Sequence, residues 1–344
     1  MSDLFEISAG GDILQEKFSK FKTPGYPYPV YANALANLGL YGYASYYKVD
    51  VPSITVTGRG DVGHAIARFE KFVPIVRLLT LIPKGIQNIK FFAEAINNTK
   101  IFMESTGVPQ LTSPQLGQVK VFCPTLPEQQ KIADFLSLVD ERIEKQRQLV
   151  EVLKRYKRGV ISRLLNELSD SEQIPLSTLV SSGVVKLGRG NVIPKYSKDE
   201  KRIYPVYSSS VQKNGLMGYF DSYMFDQELI TWSIDGGGHF FYRKKHKFNV
   251  TNVCGIFEVD TEKYNYKFVA ECLIEQHTRK HFDYQSKAHP SVIIEMYKLP
   301  VVPIHIQEKW SELFDLLDTQ IMTSEKYLLC LGEFKQGLLQ QMFI

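Results

Sequence analysis

The chain has 344 residues, 44% hydrophobic and 23% charged, a balance that excludes disordered and fibrous classes and predicts two or three globular domains. No apolar run approaches the ~20 residues of a bilayer span, and the opening "MSDLFEISAGGD" lacks the basic start and apolar stretch of a secretion signal. The four cysteines, Cys123, Cys254, Cys272 and Cys330, show neither disulfide-type nor C-x-x-C spacing, so a cytoplasmic location without membrane contact is expected.

Net charge is only +4, from 41 basic and 37 acidic residues, and does not by itself point to nucleic acid. The basic residues are nevertheless clustered. Lys186, Arg189, Lys195, Lys198, Lys201, Arg202 and Lys213 face only Asp199 and Glu200 in that stretch, and "RKKHK" covers Arg243 to Lys247. Such patches attract phosphates even on a nearly neutral chain. Lysines guarding a solvated strand edge would look the same.

In chain order, short alternating apolar runs such as "YPVY" (Tyr28–Tyr31) and "SITVT" (Ser53–Thr57) predict strands separated by turns. "QNIKFFAEAINN" (Gln87–Asn98) has helical spacing, "GQVKVFCP" (Gly117–Pro124) returns to a strand-like pattern, and a long helix opens after Pro127. The polar link "NELSDSEQIPLST" (Asn166–Thr178) ends that helix. The same grammar then repeats. "YPVY" (Tyr204–Tyr207), "ELITWSI" (Glu228–Ile234), "YKFVAECLIEQHTRK" (Tyr266–Lys280) and "YKLPVVP" (Tyr297–Pro303) precede a second long helix.

This is an internal duplication. "YPVYANALANLGLYGY" at Tyr28 is answered by "YPVYSSSVQKNGLMGY" at Tyr204, 176 positions on; "SIT" by "LIT" at the same offset; "FFAEAI" by "FVAECL" at 177; and "EQQKIADFLSLVDERI" by "IQEKWSELFDLLDTQI" at 178. At the start, "ISAGGDI" (Ile7–Ile13) aligns with "KLGRGNV" (Lys186–Val192). Each half is therefore a mixed α/β (α+β) domain followed by a long helix: residues 1–125 and 126–168, then 169–303 and 304–344. The first helix carries a heptad seam at Val139, Ile143, Gln146, Val150, Leu153, Lys157, Val160 and Leu164. The second carries one at Phe314, Leu317, Ile321, Ser324, Leu328, Leu331, Lys335, Leu338 and Met342. The two seams predict an antiparallel coiled coil with a pseudo-twofold relation between the halves.

Domain, long helix, domain, long helix, with "LPEQQKIADFLSLVDERI" opening the first helix, resembles the specificity subunit of Type I restriction–modification systems. The resemblance covers essentially the whole chain, although the second copy, "IHIQEKWSELFDLLDTQI", lacks the Pro-Glu-Gln start. It implies two target recognition domains and two conserved helices. The first domain begins almost at Met1, so its edge is expected to be completed by the C-terminal helix or by a partner. The resemblance further implies double-stranded DNA as ligand, with two methyltransferase subunits and restriction/translocase subunits as partners. The chain itself is then non-catalytic and binds no cofactor. A helix from Ile132 to Leu165 spans ~50 Å, or roughly 15 base pairs. Each domain would read one part of a bipartite target.

Between the halves the scaffold is kept while the polar loop residues are exchanged, as expected when two readers address different sequences. Candidate DNA contacts are Asn33, Asn37, Arg59, His64 and Arg68 in the first domain. In the second they are Arg189, Ser208, Ser209, Ser210, Lys213, His239, Arg243, Lys244 and Lys245. Enzyme motifs are weak by comparison. "GRGDVG" (Gly58–Gly63) fits a dinucleotide fingerprint, but "IDGGGH" in the second half does not keep its spacing, so a glycine-rich hairpin is expected. His277 and His281 in "HTRKH" lack the glutamate of a zincin. A stand-alone DNA-modifying or DNA-cleaving enzyme and a coiled-coil adaptor are the rival readings.

Overall fold

The computed structural model describes residues 1–99, 101, 110–168, 171–193, 202–280 and 287–343. Lys195, Lys198, Lys201 and His281, singled out above, lie outside the described residues. The first half contains β1 (Phe5–Ala9), β2 (Phe18–Ser19), β3 (Tyr28–Tyr31), β4 (Leu40–Ala44), β5 (Ser53–Thr57), β6 (Ala65–Arg68), β7 (Val73–Pro74) and β8 (Leu78–Pro83). Three helices follow: α1 (Ile89–Asn98), α2 (Ser113–Gln118) and the 42-residue α3 (Leu126–Glu167). The second half contains β9 (Gln173–Pro175), α4 (Leu176–Ser181), β10 (Val185–Arg189), β11 (Tyr204–Tyr207), β12 (Leu216–Phe220), β13 (Phe225–Ser233), β14 (Phe240–Val250) and β15 (Cys254–Val259). It ends with α5 (Tyr266–Thr278), α6 (Pro290–Met296), β16 (Lys298–Pro300) and the 39-residue α7 (Ile304–Met342).

The chain divides into two units that cut across the long helices. Unit 1 is Met1–Gln146 with Tyr327–Ile344, and unit 2 is Arg147–Lys326. In unit 1, one sheet has the order β1-β8-β5-β6 and a second has β2-β4-β3-β7. All five residues of β5 are buried, as its central place in the first sheet requires. The Asn88 side chain caps α1 by accepting from Phe91 N at 3.0 Å. The helix then lays Ile89, Phe92 and Ile96 on a core containing Phe5, Ile54, Val56 and Leu81.

Unit 2 repeats this plan with its two sheets fused. A six-stranded sheet has the order β10-β15-β13-β14-β11-β12, because the single strand β14 does the work of β6 and β7. Its core holds Trp232, Phe257, Phe268 and Phe314, and Trp232 Nε1 donates to the Ala288 carbonyl at 2.7 Å.

Two expectations change. The first concerns register. β1 places Phe5 opposite Pro83 and β10 places Val185 opposite Val259, both buried, while Gly11 and Asn191 make equivalent bridges to Ile75 and Thr251. Ile7 therefore corresponds to Leu187, not Lys186; a one-residue slip would have turned an apolar position outward. The second concerns "GQVKVFCP". Residues 119–124 form no strand, whereas the corresponding β16 pairs with β9. No such partner stands beside residues 119–124 among the described residues; the Met1 amine instead donates to the Val119 carbonyl at 2.9 Å. The last turn of α7 reaches the same domain, with Asn98 donating to the Leu339 carbonyl and the Phe343 ring tilted against Phe91 at 5.2 Å.

Along the helices, Val139, Val150, Leu164, Phe314 and Leu317 are buried. Ile143, Leu153, Val160, Ile321, Leu328, Leu331, Leu338 and Met342 are half-buried, while Leu138, Val152, Met322 and Leu329 off the seam are exposed. Within each unit the two helices run antiparallel, as the pairings Asp140–Lys335 with Arg142–Tyr327 and Lys157–Asp318 with Lys154–Glu325 require. The two seam lysines are neutralised in equivalent ways. In unit 1, Lys335 Nζ lies 3.1 Å from Glu94 and 2.8 Å from Asp140. In unit 2, Lys157 Nζ lies 2.7 Å from both Glu271 and Asp318, and Lys267 joins the same two carboxylates. Burial opposes ionisation of Asp318, but hydrogen bonds from Lys157 and Lys267 hold its carboxyl below the usual range.

The glutamine that opens each long helix has an equally specific task. Gln129 Oε1 accepts from Asn88 N at 3.0 Å, and its Nε2 donates to the Pro124 carbonyl at 3.0 Å. Gln307 accepts from Asn265 N at 2.9 Å and donates to the Val302 carbonyl at 2.8 Å. Both glutamines are buried, so each ties its long helix to the capping asparagine of the domain helix.

Candidate nucleic-acid interface

After β3 and β11 the chain makes the same unusual turn. In Ala36–Gly39, Asn37 and Leu38 both have positive φ (49° and 53°); in Gln212–Gly215, Lys213 and Asn214 do (47° and 55°). Left-handed backbone costs an L-residue roughly 1–2 kcal/mol, so two in succession need support from outside the turn. Gly39 and Gly215 close the turns at φ +80° and +79°, a conformation glycine adopts without strain. All four strained residues are exposed.

The support is a buried arginine. Arg68 Nε donates to Thr55 Oγ1 (3.1 Å) and Nη2 to the Leu38 carbonyl (2.6 Å), with the guanidinium 3.6 Å from the Tyr31 ring centroid. Arg243 Nε donates to Thr231 Oγ1 (3.0 Å) and Nη1 to the Asn214 carbonyl (2.9 Å), lying 3.7 Å from the Tyr207 ring. Each arginine thus joins a central strand, an aromatic face and the strained turn. Arg68 and Arg243 are only 5% and 2% exposed, so neither reaches DNA from this position; the expectation that they are surface contacts is corrected. In sequence they resemble solvent-facing residues because Arg68 ends the four-residue β6 and Arg243 opens the basic run "RKKHK" of β14.

The two anchors differ in their surroundings. Tyr31 donates to Glu70 at 2.6 Å. Burial opposes ionisation of Glu70, but hydrogen bonds from Tyr31 and the backbone and the Arg68 charge hold its carboxyl below the usual range. Burial also pushes the Tyr31 hydroxyl up to about 12, with the Glu70 hydrogen bond adding to the shift. In the second half Tyr207 instead meets His246 Nε2 at 3.1 Å, and Arg243 Nη2 has no hydrogen-bond partner. Burial lowers the Arg243 pKa to about 10, and the guanidinium stays charged at neutral pH.

A second loop abuts each turn. "GRGDVG" closes the β5–β6 hairpin, with Thr57 N donating to the His64 carbonyl and Gly60 and Gly63 at positive φ. Asn33 is half-buried and fastens this hairpin to the turn: its Oδ1 accepts from Gly58 N (2.6 Å) and Arg59 N (3.2 Å), and its Nδ2 donates to the Arg59 carbonyl. Ser209, at the equivalent place, accepts from Asp235 N at 2.8 Å. Ser208 accepts from Thr251, and Ser210 Oγ accepts from Gln212 N within the turn. His239 is half-buried and packs 4.9 Å from the His277 ring.

The structure therefore separates the sequence candidates. Asn37, Lys213, Arg59 and His64 are exposed on or beside the turns. Asn33, Ser208 and Ser209 fasten loops. Arg189 is exposed on β10, where its Nε donates to the Asn252 carbonyl at 3.1 Å. "RKKHK" is not one patch: Arg243 is buried, Lys244 is paired with Asp315 of α7 at 3.0 Å, and Lys245 is exposed. Leu38 and Asn214 were missed as exposed tip residues, although their place beside Asn37 and Lys213 in the repeated phrase marks them.

A family model described as the Type I restriction modification DNA specificity domain matches residues 1–155 and 181–329. The chain belongs to this family. The structure of a Type I restriction–modification S subunit from M. genitalium aligns with 100% of the chain and 94% of its own length, at TM-score 0.67 and 20% identity, a likeness of fold. Among relatives in Mycoplasma pneumoniae, the Type I restriction enzyme MpnII specificity subunit is 33% identical over 41% of this chain and 43% of its own length. S.MpnORF365P, named provisionally as a type I specificity subunit, is 28% identical over 60% of this chain and 78% of its own. The chain spans only 35% of another such relative, S.MpnORF507P, at 34% identity. The two matched stretches fall mainly in unit 1 and mainly in unit 2, respectively.

Proposed function

We propose that this chain is the DNA-sequence-specificity subunit of a Type I restriction–modification complex and catalyses nothing itself. Each globular domain reads one part of a bipartite double-stranded target. The paired long helices set the unread spacer and dock two methyltransferase subunits, with restriction/translocase subunits joining the assembly in the cytoplasm. The observation that carries this reading is the repeated turn: an identical anchor of tyrosine, threonine, arginine and glycine supports tips of different chemistry. A protein that reads two different short sequences needs that combination of constant frame and changed tip. Lys213, Lys245, Arg59 and Arg189 supply phosphate or base contacts at the exposed surface, so binding weakens steeply with added salt. Among the described residues no helix is long and apolar enough to cross a membrane. The test is a modified-base map. The chain is expressed with its neighbouring methyltransferase in a methylation-free host and the methylated adenines are sequenced. A gapped motif that vanishes without this chain is expected; a continuous motif independent of it defeats the reading.

A further inference from the structure

We infer that Arg68 and Arg243 are positioning residues for sequence reading: each fixes the strained turn whose exposed tip, Asn37–Leu38 or Lys213–Asn214, meets the DNA bases. The inference rests on the specificity reading above and assigns the reading elements within it. Three observations carry it. Four of the five non-glycine residues with positive φ among the described residues fall in these two turns, at equivalent places. Each arginine spends a hydrogen bond on the carbonyl of the second left-handed residue, Leu38 or Asn214, and so holds the tip rather than the core alone. The anchor residues are the same in both halves, while all seven residues from Ala32 to Leu38 differ from those from Ser208 to Asn214. The turn thus combines a constant support with an exchanged, exposed tip, which is what two readers of different sequences need.

Leu38 is 62% exposed, an apolar side chain of the kind that meets a thymine methyl group. Asn37 has the donor and acceptor that suit an adenine edge, and Lys213 suits guanine or phosphate. The arginines touch no base; they act through the turn.

The test uses the full chain in complex with its methyltransferase and compares modified-base maps for wild type, Arg68→Lys and Arg243→Lys. Lysine keeps the charge but lacks the planar fork that reaches threonine and carbonyl from separate nitrogens while stacking on the tyrosine ring. For Arg68→Lys, methylation of near-cognate sequences should rise about tenfold in one part of the motif only, because one good base contact discriminates by that order. Arg243→Lys should relax the other part. Should either lysine variant fail to fold, the Asn37→Gly/Leu38→Gly chain makes the same test at the surface, since glycine accepts the left-handed backbone; it too should relax one part. Folded variants that keep the parental motif with unchanged selectivity, or that degrade both parts together, overturn the inference while leaving the specificity reading intact. A wild-type chain without a two-part motif overturns the specificity reading, and this inference with it.

Discussion

The two lysine clusters on the long helices make a quantitative comparison possible within one molecule. Among the described residues Lys335 is the one cation paired with Glu94 and Asp140, whereas Glu271 and Asp318 are shared by Lys157 and Lys267. In unit 1 the counterpart of Lys267 is Lys90, whose Nζ points instead toward Ser137 Oγ and the Phe69 ring. Lys335→Met therefore leaves two carboxylates without their cation, while Lys157→Met leaves both still paired. Removing one member of a fully buried ion pair costs roughly 3–5 kcal/mol. The Asp140 side chain is 47% exposed, so solvent screening reduces the expected cost of Lys335→Met to about 2 kcal/mol. Lys157→Met should cost about 1 kcal/mol or less. Burial opposes the charge on Lys335, but its hydrogen bond to Asp140 and the Glu94 charge raise its pKa. Its stabilisation is thus complete below the ordinary lysine range and fades only as pH rises through the folded value. Urea denaturation at neutral pH measures both variants. Circular dichroism reports the whole chain, and fluorescence isolates unit 2 because both tryptophans, Trp232 and Trp310, lie there. The double variant Glu94→Gln/Lys335→Met should recover part of the loss. A Lys157→Met cost equal to or above that of Lys335→Met, or no recovery in the double variant, would refute the reasoning.

Other perturbations have equally definite signs. Gly39→Ala forces a Cβ to 2.9 Å from the Ala32 carbonyl oxygen at φ +80°, and Gly215→Ala brings one to 3.1 Å from Arg243 Nη2. Both should lower the melting temperature, with about 1–2 kcal/mol lost to the backbone alone and more for Gly39. Gln129→Leu and Gln307→Leu strand a backbone N–H and a carbonyl, mostly half-buried, at each helix start and should each cost about 1–3 kcal/mol in denaturant titration. Burial, aided by His239 and Lys280, lowers the His277 pKa to about 4, against 6.5 when free. Below pH ~6.5 the unfolded chain binds a proton that the folded one refuses, so stability should fall between about pH 6.5 and pH 4, by roughly 1–2 kcal/mol at this half-exposed site. His277→Gln should flatten that slope in melts taken across the range.

Much of this architecture can be read from residue order because duplication supplies its own control. The repeat, the strand and helix order and the heptad steps are all set by apolar periodicity, which depends on residue type alone. What escapes such reading depends on the partner a segment finds. "GQVKVFCP" alternates as a strand should, yet a strand needs a ladder neighbour, and among the described residues only the second half supplies one, β9. The register of β1 against β10 is hidden by their flanking glycines, which carry no side chain to orient. Arg68 and Arg243 look like surface cations until the aromatic face and threonine that receive them are seen in three dimensions. A signal was present: both arginines persist at corresponding places where their neighbours were exchanged. Persistence on strands whose other residues diverge marks support rather than contact.

Under the proposed reading, specificity changes at the tip and not at the anchor. Between the two halves, the tip alters from Asn37–Leu38 to Lys213–Asn214, and its neighbouring hairpin from Arg59 to Asp235, which pairs with Lys287 at 3.4 Å. The turn length, its two left-handed residues and its glycine closure are unchanged. Because the arginine grips a backbone carbonyl, it constrains the path of the turn and not the identity of the side chains on it. Tip residues can therefore be replaced without disturbing the core, provided each tolerates positive φ; asparagine does so most readily, and one stands in each tip. An anchor that held tip side chains directly would have tied every change of tip to a change in the core. The backbone grip separates the two, and a duplicated fold with two independent tips follows from that separation.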